Sequence, residues 1–292
     1  MSPAVRASAY DPGVRLFSWN IENLPRFLAP PAGTPSLRQI VDAWGAPEIV
    51  CLQETRIRPR DSELVRAMER ALPGYACHYA LCDDPRNVTY CGGRAYGVVT
   101  YVKRRFAPSR GRTLPWDREG RVVVVEVGKK KLAIVNVYAV NGTAKPYYDH
   151  ELGRMHGDRH AFKRRVNRLI MQEAQALAAR KMRLVLVGDW NISRAAIDTH
   201  PRLRTEEPHA RARRELNDEI IPALDVVDAF RALHPTKRKY TWFNKSARGL
   251  DAARVDYALV SRSLDVQVAD IDETRAHRFG SDHAPLWIEL AL

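Results

Sequence analysis

The chain is broken from end to end into short, densely apolar runs that stop abruptly at polar residues. Those runs are Val14–Trp19, Ile49–Leu52, Gly97–Val102, Arg121–Val127, Leu132–Val137, Leu184–Val187, Val255–Val260 and Leu286–Glu289. Gly, Pro, Asp or Asn bounds each one, as is usual for strands. Several are apolar at nearly every position, a pattern that suits strands buried on both faces. Helical spacing fills the intervals. Thr34-Pro35-Ser36 opens a helix through Ala43, and Asp61-Ser62 opens one that runs to Leu72 and stops at Pro73-Gly74. Between Arg159 and Arg180, apolar residues such as Phe162, Val166, Ile170 and Leu177 share one face, with Arg and Lys on the other. A further helix is expected over Ala210–Ile221.

Strands and helices mix throughout, with no linker, repeat or low-complexity tract. This favours one α/β domain over residues 14–292, after a short extension, residues 1–13. A chain of 292 residues can bury a sizeable core. Its 45% hydrophobic content excludes disorder, and 16 Gly with 18 Pro exclude a collagen-like chain. Cys51, Cys77, Cys82 and Cys91 match no paired zinc pattern, so free thiols in a reducing compartment are expected. The N-terminus lacks the apolar stretch of a secretory signal, and no run approaches the ~18 residues of a membrane span. A soluble intracellular protein is expected: cytoplasmic if bacterial, nuclear or cytoplasmic if eukaryotic.

The net charge is +13 and the pI about 9.8. Two readings compete, a polyanionic partner or a soluble enzyme with an Arg-rich surface. The basic runs Lys103–Arg105, Lys129–Lys131, Lys163–Arg165, Arg211–Arg214 and Lys237–Lys239 read mostly as solvated turns and helix faces. Lys129–Lys131 reads as a hairpin turn. The others gain meaning only where they ring one site.

The polar residues at the run ends carry the chemistry. Asn20 and Glu22, Gln53 and Glu54, Tyr138 and Asn141, and Asp189 and Asn191 each follow an apolar run, while Asp282 and His283 precede the last. Polar groups beside a hydrophobic core cost free energy unless they find partners. If the strands align, these ends converge on one acidic pocket. Each alone reads best as a turn former; recurrence at five run ends does not. Oxygen-rich pockets suit Mg²⁺, with Glu54 and Asp282 as ligands and Asn20 or Glu22 beside them. No His/Cys cluster suggests a structural zinc.

In order along the chain, Ser18–Leu24, Leu52-Gln53-Glu54-Thr55, Asn136–Asn141, Gly188-Asp189-Trp190-Asn191, Arg254-Val255-Asp256-Tyr257 and Gly280–Pro285 resemble the motifs of the endonuclease/exonuclease/phosphatase superfamily. They span nearly the whole chain. Asp117-Arg118-Glu119-Gly120-Arg121 is similar to a segment of the exonuclease III-type apurinic/apyrimidinic endonucleases, and Ile197-Asp198 is similar to that branch too. The resemblance implies a four-layer α-β-β-α sandwich of two packed mixed sheets, with the site at one rim. It also implies Mg²⁺- or Mn²⁺-dependent phosphodiester hydrolysis. Glu54 would be the principal metal ligand, with Asn20, Asp282 and more distantly Glu22 nearby. Asp189 would orient or deprotonate the attacking water, and Asn191 would hold water or phosphate. His283, oriented by Asp256, would donate to a phosphate oxygen, as would Tyr138 and Asn141.

For substrate, the resemblance implies DNA, cut at abasic sites or processed at 3′ ends, by a monomer with no membrane partner. Arg56, Trp242, Val255 and Arg121 are the candidate substrate contacts. Phe243 and Trp242 also read as core aromatics. Ala253 stands where some relatives have Trp, which would open the site to other phosphodiesters. Residues 141–159 read as a mobile loop beside the site. The alternatives are a relative acting on RNA, a protein–DNA adduct, an inositol phosphate or a phospholipid, and an inactive nucleic-acid-binding module.

Overall fold

The computed structural model describes residues 13–87, 96–246, 251–275 and 280–292. The extension up to residue 12, Cys91 and His277 therefore lie outside the described residues, as does part of the segment between Lys245 and Ala253.

The first half of the chain forms β1 (Val14–Asn20), β2 (Ile49–Gln53), β3 (Tyr75–Ala80), β4 (Val98–Lys103), β5 (Ser109–Arg112), β6 (Val122–Val127) and β7 (Leu132–Tyr138). Its helices are α1 (Pro25–Leu28), α2 (Leu37–Ala43) and α3 (Ser62–Arg70). A hairpin of β8 (Pro146–Asp149) and β9 (Arg154–Asp158) leads into the long α4 (Arg159–Ala179) and β10 (Arg183–Asp189). Next come β11 (Thr199–His200), α5 (Glu207–Arg214), α6 (Ile221–Ala223), β12 (Val226–Asp228) and α7 (Ala229–Leu233). The chain closes with β13 (Trp242–Phe243), β14 (Ala252–Ala253), β15 (Asp256–Ser261), β16 (Asp265–Ile271) and β17 (Leu286–Ala291).

Two six-stranded sheets result, in the orders β16-β17-β1-β2-β4-β3 and β12-β15-β10-β7-β6-β5. Each has one parallel pair, β1 with β2 and β7 with β10, among antiparallel neighbours. The two-residue side-chain period explains the layers. Leu16, Ile49, Cys51, Val123, Val125, Val185 and Val187 point inward and form the core between the sheets. Phe17, Trp19, Val50 and Leu52 point outward under Phe27 of α1, Ile40 of α2 and Met68 of α3. Val122, Val124, Leu184 and Leu186 point outward under Val166, Ile170 and Leu177 of α4. Helix, sheet, sheet, helix is the expected four-layer sandwich. Burying one such side chain is worth roughly 1.5–3 kcal/mol, which makes the near-continuous apolar runs the main source of stability.

Between the sheets runs one deliberate polar seam. Gln53 Nε2 donates to Ser18 Oγ at 3.0 Å and to Asn136 Oδ1 at 2.8 Å. Asn136, on β7, donates in turn to Val99 O and Thr100 Oγ1 on β4. Because satisfied buried networks specify one arrangement, this seam fixes the slide of one sheet over the other just beneath the site.

Element ends agree with their caps. Ser36 and Gln39 form a capping box on α2, and Asp158 Oδ1 accepts from Ala161 N at 2.8 Å to start α4. The expected helix over Ala210–Ile221 is not continuous. It starts as α5, widens into a π-turn over Glu215–Ile220, and resumes as α6. Pro222 is the physical reason, since it has no N–H to continue the ladder. Strands β3, β5 and β16 escape the sequence pattern because they flank their sheets and carry half-exposed polar side chains.

Residues 141–159 are not a free loop. Tyr147 stacks on Phe162 with centroids 3.8 Å apart, and Asn87 exchanges hydrogen bonds with the backbone of Tyr148. His150 Nε2 lies 2.9 Å from Asp84 Oδ2, which pins the β8–β9 tip to the body. No helix among the described residues is long and apolar enough to cross a membrane.

Candidate active site

Strand register gathers the polar run ends at one rim. The parallel pairing of β1 and β2 sets Asn20 beside Gln53, and that of β7 and β10 sets Tyr138 beside Asp189. Antiparallel β15 places Asp256 opposite Asp189, and a bridge from Trp242 brings in His283. The chain turns sharply after three of these strands. Glu22, Glu54, Arg56 and Asn191 all take left-handed backbone, with φ of 61, 58, 54 and 53°. That conformation is rare for side chains other than Gly, Asn and Asp, and such strain concentrates at functional sites.

His283 is the best-supported member. Its Nδ1 lies 2.7 Å from Asp256 Oδ2, and both residues are buried. Thr241 Oγ1 accepts from the Asp256 backbone N–H at 2.9 Å, fixing the start of β15. Ser281 Oγ accepts from His283 N at 3.0 Å and donates to Asn20 O at 2.7 Å. Burial would lower the imidazole pKa, but the charge and hydrogen bond of Asp256, then Asp189 and Asp282, raise it to about 10. The surrounding carboxylates thus favour the protonated ring, whose Nε2 lies 4.0 Å from Asp189 Oδ2.

Asp189 is displaced upward as well, from the carboxylate range. Burial, then the charge of Asp256, pushes its carboxyl up to about 7 against the opposing pull of His283. It accepts from Asn20 Nδ2 at 3.1 Å, Asn191 Nδ2 at 3.2 Å and Asn191 N at 2.8 Å. Asn191 is itself held by Ala139 O at 2.9 Å. A carboxyl balanced near neutrality beside a fixed imidazole is an acid–base pair suited to proton transfer.

The opposite wall holds the oxygen donors. Tyr138 Oη donates to Glu54 Oε2 at 3.0 Å, and burial with the Glu54 charge keeps the phenol protonated. Arg56 bonds Glu54 Oε1 at 2.6 Å and Glu22 Oε1 at 3.2 Å, and Lys245 Nζ lies 2.5 Å from Glu22 Oε2. Glu22, expected near the metal, lines the cleft and is held here by two protein cations. Arg56, expected at the substrate, lines the cleft with its Nε and Nη2 on these carboxylates. Asp282 Oδ2 accepts from Trp242 Nε1 at 3.2 Å, and Asn20 Oδ1 accepts from Glu22 N at 3.1 Å.

Arg121 is also reassigned. It is buried, pairs with Glu119 at 2.5 Å, and lies under the rings of Tyr96 and Tyr138 at 3.9 and 4.9 Å. Its Nη1 donates to Tyr138 O at 3.1 Å, so it positions Tyr138 from the floor of the cleft. Glu119 takes a second buried guanidinium, Arg159, at 2.9 and 3.0 Å. Gly120 is required between them, since its φ is +64° and a Cβ would lie 2.4 Å from the backbone of Leu81. Arg254 is likewise structural, fully buried between Asp198 and Asp228.

One residue was hidden in a basic run that reads as solvated helix face. Lys163 is buried, and its Nζ donates to Asn191 O at 2.7 Å. Burial, only partly offset by the charge of Asp189, lowers its pKa to about 7. Its position on the buried stripe of α4, one residue from Phe162, was the available signal.

These groups line a cleft of about 350 Å³. Asn141, Trp242 and Val255 lie on its walls, as expected, while Phe243 packs against the core between the sheets. Ala252 and Ala253 leave the wall between Trp242 and Val255 low. The donor set of Glu54, Asp282 and Asn20 is all oxygen, which fits a hard divalent cation. A second group, Asp189, Asp256 and His283, brings its ligand atoms within 4.8 Å of one another.

Comparison with known proteins agrees with this architecture. The chain is 28% identical over 320 residues to "DNA-(apurinic or apyrimidinic site) endonuclease 2" of Mus musculus, covering 94% of this chain and 59% of that protein. The chain therefore spans about six tenths of that relative's length. It is 28% identical over 214 residues to "Exodeoxyribonuclease III" of Haemophilus influenzae, covering 66% of this chain and 76% of that protein. The solved AP endonuclease LMAP from Leishmania major superposes with a TM-score of 0.76 at 21% identity, over 100% of this chain and 93% of that one. The sequence profile of the endonuclease/exonuclease/phosphatase family matches residues 17–283, so the chain belongs to that family.

Proposed function

We propose that residues 14–292 form one catalytic domain of a divalent-metal-dependent phosphodiesterase of DNA, acting at abasic sites, at 3′ ends, or both. The observation that carries this reading is the buried Asp256–His283 pair facing Asp189, in which neighbouring carboxylates favour the protonated ring while burial and Asp256 raise the Asp189 carboxyl toward neutrality. Glu54, Asp282 and Asn20 would hold Mg²⁺, or Mn²⁺, which when bound supplies charge neutralisation at the phosphate and leaving oxygen. The chain's own groups do the rest. Asp189 receives the proton of the attacking water, whose oxygen forms the new bond to phosphorus as the bond to the leaving oxygen breaks. His283 and Tyr138 donate to the non-bridging oxygens as charge develops there. Asn191 holds water or phosphate by its amide, and Asn141 adds a donor from the rim.

DNA is favoured over other phosphoesters by the charge of +13 and by the names of the relatives. The low Ala252–Ala253 wall favours 3′-end processing as a companion activity, because an open wall admits a terminal nucleotide as readily as a flipped sugar. We further infer that the enzyme is intracellular, uses duplex DNA and works as a monomer.

The test incubates the protein and Mg²⁺ with labelled duplexes carrying an abasic-site analogue, a recessed 3′ end or a 3′-phosphate, with RNA and inositol phosphates alongside. His283→Ala and Asp189→Ala should each abolish turnover while DNA binding survives. An absence of cleavage on every duplex would overturn the reading.

A further inference from the structure

Many of the described arginines are matched to a carboxylate. Arg164, Arg168 and Arg211 share Glu215, Arg180 meets Glu126, Arg214 meets Glu207, and Arg194 with Arg254 meets Asp228. Three arginines without such a match line the cleft. Arg202, Arg204 and Arg213 border the cleft on the side away from Glu54, together with Lys163. Among the described residues, none of the three arginines has a carboxylate within ion-pair distance. Arg213 donates instead to the carbonyl of Arg204 at 2.9 Å, which ties α5 to the loop before it. Glu206, whose carboxylate feels Arg202 and Arg204, is exposed and reaches neither.

The neighbouring histidines add no compensating charge. His160 and His209 meet edge to face with centroids 5.1 Å apart. Burial, then the charges of Arg204 and Lys163, drives His209 down to about 4. Thr143 and Ser193 add hydroxyls to the same walls. Lys163 joins this arm to the catalytic end, because its ammonium contacts the carbonyl of Asn191. Four cationic side chains converging on a cleft without carboxylate partners, one residue from the catalytic turn, make an anion site adjoining the place where the scissile phosphate would sit.

We propose that this arm is a second phosphate subsite, holding the phosphate one linkage away from the scissile one on the same strand through Arg202, Arg204, Arg213 and Lys163. It rests on the phosphodiesterase reading for the direction of the strand, and it makes a one-phosphate substrate a poor one. The bound phosphate lies beside Lys163, so the subsite also keeps that side chain charged while substrate is present. Arg204 is exposed and remote from the fold's core, which makes it the residue to change.

The experiment measures binding in EDTA, where no turnover occurs, so its outcome is independent of whether DNA is cleaved. Three thymidine dinucleotides are compared by calorimetry: unphosphorylated, 5′-phosphorylated and 3′-phosphorylated. One of the two phosphorylated forms should bind at least about tenfold more tightly than the unphosphorylated form, as expected for a charge-assisted contact. Which form gains identifies the side of the scissile bond that the arm serves. Arg204→Ala should remove most of that gain and Arg204→Glu should reverse it, with the unphosphorylated dinucleotide bound as before. Equal affinity for all three dinucleotides, or a gain unchanged in Arg204→Glu, would overturn the subsite. DNA cleavage in the absence of the gain would leave the nuclease reading standing alone, and the gain without cleavage would do the reverse.

Discussion

Two buried groups at the site have proton affinities displaced in opposite senses, and each displacement has a separable consequence. His283 is raised to about 10, chiefly because Asp256 overcomes the cost of burial. Replacing Asp256 by Asn removes the largest charge holding the ring protonated, so its proton affinity falls against the cost of burial. For Asp256→Asn, kcat/KM at pH 8 should fall by about 10²–10⁴ and recover partly as pH is lowered, whereas the wild type holds its His283-dependent activity toward pH 10. A pH–rate series on both proteins checks this. Folding stability carries a second signature. A raised His283 stabilises fully below its unfolded value and loses that contribution as pH rises toward about 10. Lys163, lowered to about 7, works the other way: its penalty is complete below about 7 and vanishes as the unfolded chain also deprotonates. The two slopes oppose each other between pH 7 and 10. Lys163→Met removes one of them, so its stability should fall more steeply over that interval than that of the wild type, as followed by urea unfolding.

At the scale of elements, the site rests on struts that lie outside the chemistry. Glu119 compensates two buried guanidiniums, Arg121 under Tyr138 and Arg159 at the start of α4. Breaking a buried pair from one side leaves charge without a partner and costs about 3–5 kcal/mol. Glu119→Gln should lose about that much stability in chemical denaturation, and the weakened hold on Tyr138 should lower kcat more than it raises KM. The β8–β9 hairpin is an element whose ordering depends on distant partners. Asn87 and Asp84, far away in sequence, are what fasten it. The Gly and Tyr residues of residues 141–159 read equally well as a loop, because hairpins pinned by remote side chains leave little periodic trace.

For the whole molecule, an excess of +13 surrounds a rim rich in carboxylates. Binding of duplex DNA in EDTA should therefore weaken steeply with salt, with a slope in log K against log salt of about −0.9 for each phosphate neutralised. A flat response would remove the basic surface from any role in DNA binding. By itself the sequence determined the strand cores, because a run such as Val122–Val127 buries well on both faces only within a layered sheet. It also determined the chemical types at the run ends, which made Asn20, Glu54, Asp189 and His283 candidates before any contact was known, while Asp256 entered through the family resemblance. Only the tertiary structure decided partnership. It turned Arg121 inward onto Glu119, committed Glu22 to Arg56 and Lys245, and drew Lys163 out of an apparently solvated basic run to the back of Asn191. The physical reason is one of range. Burial and alternation are local properties written in the order of residues, whereas the charge a side chain meets across a cleft depends on which strands become neighbours.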